Sequence, residues 1–161
     1  MEGMEGSAVT NAVAIVGTSR QVSQAELDKF STVYTVGTNP IEADMYLCLH
    51  GEKSKHPDRD VTWDDFKHVV RKYQGTPLVN SICILMADIA YRREVLGCFN
   101  NRVYILASPL ISKREYMYER AGVAYWVGYL SALGVNVFWE GGWPRSVAIP
   151  YMFTGSLDGY V

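Results

Sequence analysis

The sequence contains no CxxC or HxxxH pair, no GxGxxG and no GxxxxGK[ST]. The first two absences argue against a metal site, and none is expected. The last two remove the strong fingerprints of dinucleotide and P-loop binding. Cysteine is scarce: Cys48, Cys83 and Cys98 are odd in number, widely spaced and set among apolar neighbours. They are expected to be reduced and buried in a cytoplasmic protein. Excess charge is also missing, because 15 Lys+Arg face 17 Asp+Glu for a net −2. A broad electrostatic hold on DNA or RNA is therefore not expected, although a local basic patch stays open. No apolar run approaches the ~20 residues that a membrane span needs, and no signal peptide is read at the start. No membrane partner is expected.

What remains is globular. The 161 residues are 48% hydrophobic and 20% charged, which fits one compact domain with a real core. No internal repeat or domain boundary interrupts residues 1–161. Aromatics make up 12%, with 11 tyrosines and 4 tryptophans. That fits an aromatic core, a stacking pocket or an interface rich in anchors.

Met1 to Asn11 has little pattern and reads as an N-terminal tail. Ala12 to Val16 is apolar without alternation, as in a strand covered on both faces of a parallel sheet. It runs into the turn Gly17-Thr18-Ser19-Arg20. Ser23 reads as an N-cap, with Glu26 completing a capping box for a helix to about Phe30 that buries Leu27 and Phe30. Thr32 to Val36 is β-branched and aromatic, a second strand ending at Gly37-Thr38-Asn39-Pro40. Asp44 precedes a third strand, Met45 to Leu49, which ends at His50-Gly51. Gly51 to Asp60 is polar throughout and is expected as a surface loop. Thr62 then caps a helix with Asp64 and Asp65 in its first turn and Lys67, His68, Arg71 and Lys72 towards its end, an order that suits the helix dipole. Its apolar face is Phe66, Val69, Val70 and Tyr73.

Leu78-Val79 allows a short strand before a helix capped by Ser81. Ile82, Leu85, Met86, Ile89 and Ala90 fall at helical spacing, and the length over about 82–97 exceeds a typical strand. Arg102 to Ala107 is the next strand. A helix from Glu119 to Leu133 follows, closed by Gly134, with small residues that let it lie close on a sheet. Val135 to Trp139 is the last core strand. Together these elements predict an α/β, Rossmann-like three-layer sandwich. Its sheet is mainly parallel, with about five strands and helices on both faces. Residues 143–161 are rich in Gly, Pro and aromatics and read as an extended C-terminal arm. Trp143, Pro144, Pro150, Tyr151, Phe153 and Tyr160 are too apolar to stay in solvent. The arm packs across its own domain or onto a neighbouring subunit, and the neighbour is favoured.

Candidate site residues gather at the carboxyl ends of the strands, where open α/β sheets bind ligands. The amides of the Gly17 turn, the Thr18 and Ser19 hydroxyls and Arg20 could hold a phosphate. A plain strand-to-helix turn would also favour Gly and Ser. Thr38 and Asn39 could meet a ribose or base, or form an ordinary Asn-Pro turn. His50 is a candidate general base or a polar strand end. Glu140, followed by Gly141 and Gly142, could meet a ribose hydroxyl or simply turn. His56 and His68 read as solvated. Lys113, Arg114, Tyr116 and Tyr118 read as a loop with anchoring tyrosines or as a base-stacking cluster. No complete catalytic constellation is present, and catalytic roles for His50 and Glu140 are open.

Ala12 to Asn39 with Met45 to Gly51 resembles the opening of small phage-encoded Rossmann-like proteins. It is also similar to the opening of bacterial CMP-sialic-acid sialyltransferases and motility-accessory glycosyltransferase-like proteins. In that group the first strand ends in a Gly-x-x-Ser turn and the second in an Asn that touches the nucleotide. Arg120 to Tyr125 and Leu133 to Gly141 look like the group's late helix and strand. Thr18-Ser19-Arg20 stands where the group has Pro-Ser, and Glu140-Gly141-Gly142 where an Asp is usual. The resemblance implies a nucleotide or nucleotide-sugar ligand at the carboxyl edge, contacted by Gly17, Thr18, Ser19, Arg20, Thr38 and Asn39. It also implies a place in the host cytoplasm. The competing expectation is a non-catalytic phage virion or assembly protein that oligomerises through its aromatic arm.

Overall fold

The computed structural model describes residues 9–98, 100–108 and 114–140, with side chains for 12–98, 100–108 and 119–140. The strands are β1 (Val9–Val16), β2 (Phe30–Val36), β3 (Met45–Leu47), β4 (Asp60–Val61), β5 (Arg102–Leu106) and β6 (Asn136–Trp139). The helices are α1 (Gln24–Leu27), α2 (Lys67–Lys72), α3 (Ser81–Glu94) and α4 (Arg114–Ala132). Six strands form one sheet in the order β4-β3-β2-β1-β5-β6, and every pairing is parallel. The fold is therefore an α/β Rossmann-like sandwich. The expected arm 143–161, most of the N-terminal tail, Gly141, Gly142 and Lys113 lie outside the described residues, as do the side chains of Arg114, Tyr116 and Tyr118.

The apolar run of β1 has the reason expected for it. Ala12 to Val16 are all buried, Val13 and Ile15 in one core and Ala14 and Val16 in the other. The larger core lies under α2, α3 and α4. Residues 82–90 of α3 are buried without a break, because this helix is wedged between the sheet and its neighbours. Asp88, 2% exposed, survives there by accepting from Arg92 Nε one turn on (2.8 Å). Trp126 of α4 is fully buried and donates to Pro77 O (2.9 Å). Glu94 of α3 accepts from the hydroxyls of Tyr73 (2.7 Å) and Tyr129 (2.9 Å), tying three helical segments together. Among the described residues, the smaller core has only α1, Val22 and the segment around Ala43 above the sheet.

Several boundaries differ from expectation, each for a local reason. β1 begins at Val9, three residues before Ala12, and Val9 pairs with Phe30. The Ser23–Glu26 capping box is present, but α1 stops at Leu27 and Phe30 opens β2 instead of ending a helix. The Phe30 ring packs on Tyr104 (5.2 Å between centroids), a contact that a helical Phe30 would forgo. β3 is three residues long, and β4, which starts at the last residue of the expected loop, is a sixth strand. Residues 63–66 form a 3-10 turn ahead of α2, with the Asp65 carboxylate accepting from Thr62 N (2.8 Å). Leu78-Val79 is not a strand. Asn80, not Ser81, caps α3, its Oδ1 accepting from Cys83 N (2.8 Å). α4 begins at Arg114, five residues before Glu119. Cys48 and Cys83 are buried, and burial pushes their thiols up to about 11 and about 12. Cys98 is exposed, contrary to expectation, because α3 has ended before it.

Gly17, just past β1, lies tight against the residues that follow β5. A Cβ built there would stand 2.4 Å from Ala107 O and 2.9 Å from Ser108 Cβ. Backbone cannot yield as a flexible side chain can. Gly17→Ala is therefore expected to lower folding stability by about 2–3 kcal/mol, the scale of overpacking a tight contact. Urea unfolding followed by circular dichroism measures it. An unchanged midpoint would show that the two strand ends separate freely.

Candidate functional site

The strand order reverses between β1 and β5. In open α/β sheets the carboxyl ends near such a reversal form the binding crevice. A cleft of about 650 Å³ lies at this edge, over the segments that follow β1, β2 and β3. Its volume suits a small organic ligand. Its apolar lining is Val22, Leu27, Pro40 and Ile41. The hydrogen-bonding groups are mostly neutral, from Thr18, Gln21, Gln24, Thr38 and Asn39. Arg20, Glu42 and Lys55 bring the charge.

The framework is a chain of hydrogen bonds between the ends of β1 and β2. Thr35 Oγ1 donates to Val16 O (2.7 Å), and Asn39 Nδ2 donates to Thr35 Oγ1 and to Gly17 O (both 2.9 Å). Asn39 is 7% exposed, and both its amide hydrogens are spent on these bonds. What it can offer a ligand is its carbonyl oxygen. The backbone of the Gly17 turn is also engaged. Gly17 N donates to Leu106 O (2.8 Å) and Ser19 N to Ala107 O (3.0 Å). Two amides of the expected phosphate cradle thus hold β5. Ala107 adopts a left-handed φ of 54° to present that oxygen.

Arg20 is committed as well. Nε and Nη2 donate to the two oxygens of Glu140 (2.7 and 2.5 Å). Nη2 and Nη1 donate to Glu26 (2.9 and 3.3 Å), and Nη1 donates to Gln21 O (2.7 Å). A guanidinium has five N–H donors, and all five have partners here. One guanidinium faces two carboxylates, a local net −1, which disfavours a phosphate at that spot. The hydrogen bonds from Arg20 hold the Glu26 carboxyl down at about 2 and lower that of Glu140 as well. Glu140 is thus an ionised clamp on Arg20.

A second charge cluster has the opposite balance. Glu42 accepts from Lys55 Nζ (2.5 Å) and His56 Nε2 (2.8 Å), with Arg59 Nη1 3.6 Å away. Hydrogen bonds from Lys55 and then His56 lower the Glu42 carboxyl. Lys55 and Arg59 against one carboxylate leave a net +1. His56 is half-buried, its ring 6.0 Å from that of Tyr46, rather than solvated as expected. Tyr46 shapes this corner by accepting from Ala43 N (3.0 Å). His68 is exposed, as expected, with its ring edge-on to Tyr91.

Of the residues singled out from sequence, Thr18, Arg20, Thr38 and Asn39 line the cleft. Gly17, Ser19, His50 and Glu140 do not. His50 is exposed past β3, with its backbone N–H held by Glu52 (2.7 Å). Gln21, Gln24, Ile41, Glu42 and Lys55 were missed. The first four could have been found, because they lie within eight residues of Val16 or Val36, the β1 and β2 ends. Lys55 comes from the loop after β3, whose return to the cleft no local pattern announces. Among the described residues, no group of three or more His, Cys, Asp or Glu could hold a metal, and no helix is long and apolar enough to cross a membrane. Protein-family models, curated proteins and solved structures all yield no match to this chain.

The Arg20 cluster sets an acid limit on stability. Glu26 titrates near 4.5 when free of the fold and near 2 within it. A depressed carboxylate adds stability above its unfolded pKa and loses it as pH falls through the folded one. Stability should therefore decline from about pH 4.5 towards pH 2, and Glu26→Gln should flatten that decline. Urea midpoints measured between pH 6 and pH 2.5 test this, and parallel curves for the two proteins would refute it.

Proposed function

We propose that the carboxyl-edge cleft binds a nucleotide or nucleotide-sugar. The observation that carries this reading is the cleft's composition. Neutral amide and hydroxyl side chains share its lining with apolar Val22, Leu27, Pro40 and Ile41, the mixture that a nucleoside with its hydroxyls and flat base requires. On the resemblance of Ala12 to Asn39, the protein would be a phage-type, glycosyltransferase-like one. The reading is of binding, because His50 and Glu140 both lie outside the cleft.

The two charge clusters orient the ligand. The Arg20 side carries net negative charge and a saturated guanidinium. The Lys55 side carries net positive charge and shares one carboxylate among three basic groups. The phosphate therefore goes to the Lys55 and Arg59 side, and the nucleoside lies along Thr18, Thr38 and Asn39. This reverses the phosphate position that the Gly17 turn suggested. Asn39 meets the nucleoside as an acceptor, through Oδ1.

Calorimetric titration of the folded protein with CMP, UMP, their sugar derivatives, cytidine and uridine is the test. The monophosphates should bind more tightly than the nucleosides. Lys55→Met should remove most of that difference, about fivefold for a partly exposed charge contact worth ~1 kcal/mol. Silence from every compound would overturn the reading. Binding in which Lys55→Met matters no more than a surface change would overturn the orientation alone.

A further inference from the structure

Among the described residues, no helix covers the face of β5 and β6 opposite α2, α3 and α4. Parallel strands are normally covered on both faces. Here α2, α3 and α4 cover one face, and the short α1 lies over β1 and β2 on the other. Phe138 of β6 is 44% exposed on that second face. Its ring stacks on that of Tyr104, at 4.7 Å and 19°. Tyr104 in turn meets Phe30 of β2 at 5.2 Å, reaching across β1 where that strand carries only Ala12 and Ala14. A row of three aromatic rings thus crosses four strands, half-buried at Phe30 and Tyr104 and exposed at Phe138. Leu106 is half-exposed beside it.

We propose that residues 143–161 of the same chain cover this aromatic row. The segment directly follows β6, the strand that carries Phe138. It contains Trp143, Ile149, Tyr151, Met152, Phe153, Leu157 and Tyr160, against only Arg145 and Asp158 as charged residues. Its composition complements a partly exposed aromatic surface, and its zero net charge opposes nothing there. Reach is ample: 19 residues span up to ~60 Å extended, and the row from β6 to β2 crosses three strand spacings, ~14 Å. Attachment beside the row also gives the segment a high effective concentration, on the millimolar scale, which a separate molecule lacks. The other end of the chain is a poor occupant, because residues 1–8 hold only Met1, Met4 and Ala8 as apolar side chains.

The test compares the full chain with a protein stopped after Gly142, and with Phe138→Asp in the full chain. Phe138 is partly exposed, so the last variant should keep the wild-type circular dichroism. If the segment covers the row, the shortened protein binds several-fold more anilinonaphthalene sulfonate. Phe138→Asp then speeds tryptic cleavage after Arg145 about tenfold. Both full-length proteins remain monomers by light scattering. Equal dye binding and equal cleavage would overturn the proposal. A full-length dimer that becomes a monomer on shortening would also overturn it, since the occupant would then be a second copy. If the shortened protein fails to fold, the cleavage rate of Phe138→Asp decides alone.

Discussion

The close approach of β1 and β5 at their carboxyl ends is the constraint on which the site depends. Only glycine fits at position 17, because Ala107 O occupies the space where a side chain would begin. The same approach lets Gly17 N and Ser19 N donate into β5. Those bonds hold the turn in place, and the turn delivers Arg20 to Glu140 at the end of β6 and to Glu26 at the start of α1. The β1 turn, α1 and the distant end of β6 are joined at one guanidinium. An alanine at position 17 would disturb the strand pairing first, and the arrangement of Arg20 through it.

Much of this framework was legible, and for a physical reason. A strand buried on both faces has no choice but to be apolar throughout, and Ala12 to Val16 states that outright. The Ser23–Glu26 capping box is local and appears where its spacing predicts it. The length of the periodic stretch from Ile82 to Ala90 identified α3, although its burial proved to be all round rather than one-sided. The boundaries failed where tertiary contacts decide. Phe30 is as good in a helix as in a strand until Tyr104 is beside it. Asn80 outcompetes Ser81 as a cap because its amide also donates to Glu119 of α4 (3.2 Å), 39 residues away.

The site was legible in position but not in role. Strand ends point to the right edge of the sheet, and Thr18, Arg20, Thr38 and Asn39 are there. Their functions depend on which donors are already spent, and that is a property of partners. Arg20 looks like a phosphate ligand until Glu140, 120 positions later, claims two of its N–H groups. Asn39 looks like a donor until Thr35 and Gly17 take both hydrogens. Lys55 looks like one of many solvated lysines until the loop after β3 folds back onto Glu42.

The chemistry of the cleft follows from that accounting. A saturated arginine acts as a fixed strut with a negative surround, not as a mobile cation. It bounds the ligand space on one side and repels an anion there. On the other side Glu42 is shared among Lys55, His56 and Arg59, so each basic group keeps capacity for a further acceptor. The cleft therefore has a built-in direction. On the proposed reading, a neutral, hydroxyl-bearing part lies between Thr18 and Asn39, where the free acceptor is a carbonyl oxygen. An anionic part fits only where positive charge exceeds its partners. A ligand with both parts, and its charge at one end, matches that direction better than a bare anion or an uncharged sugar would.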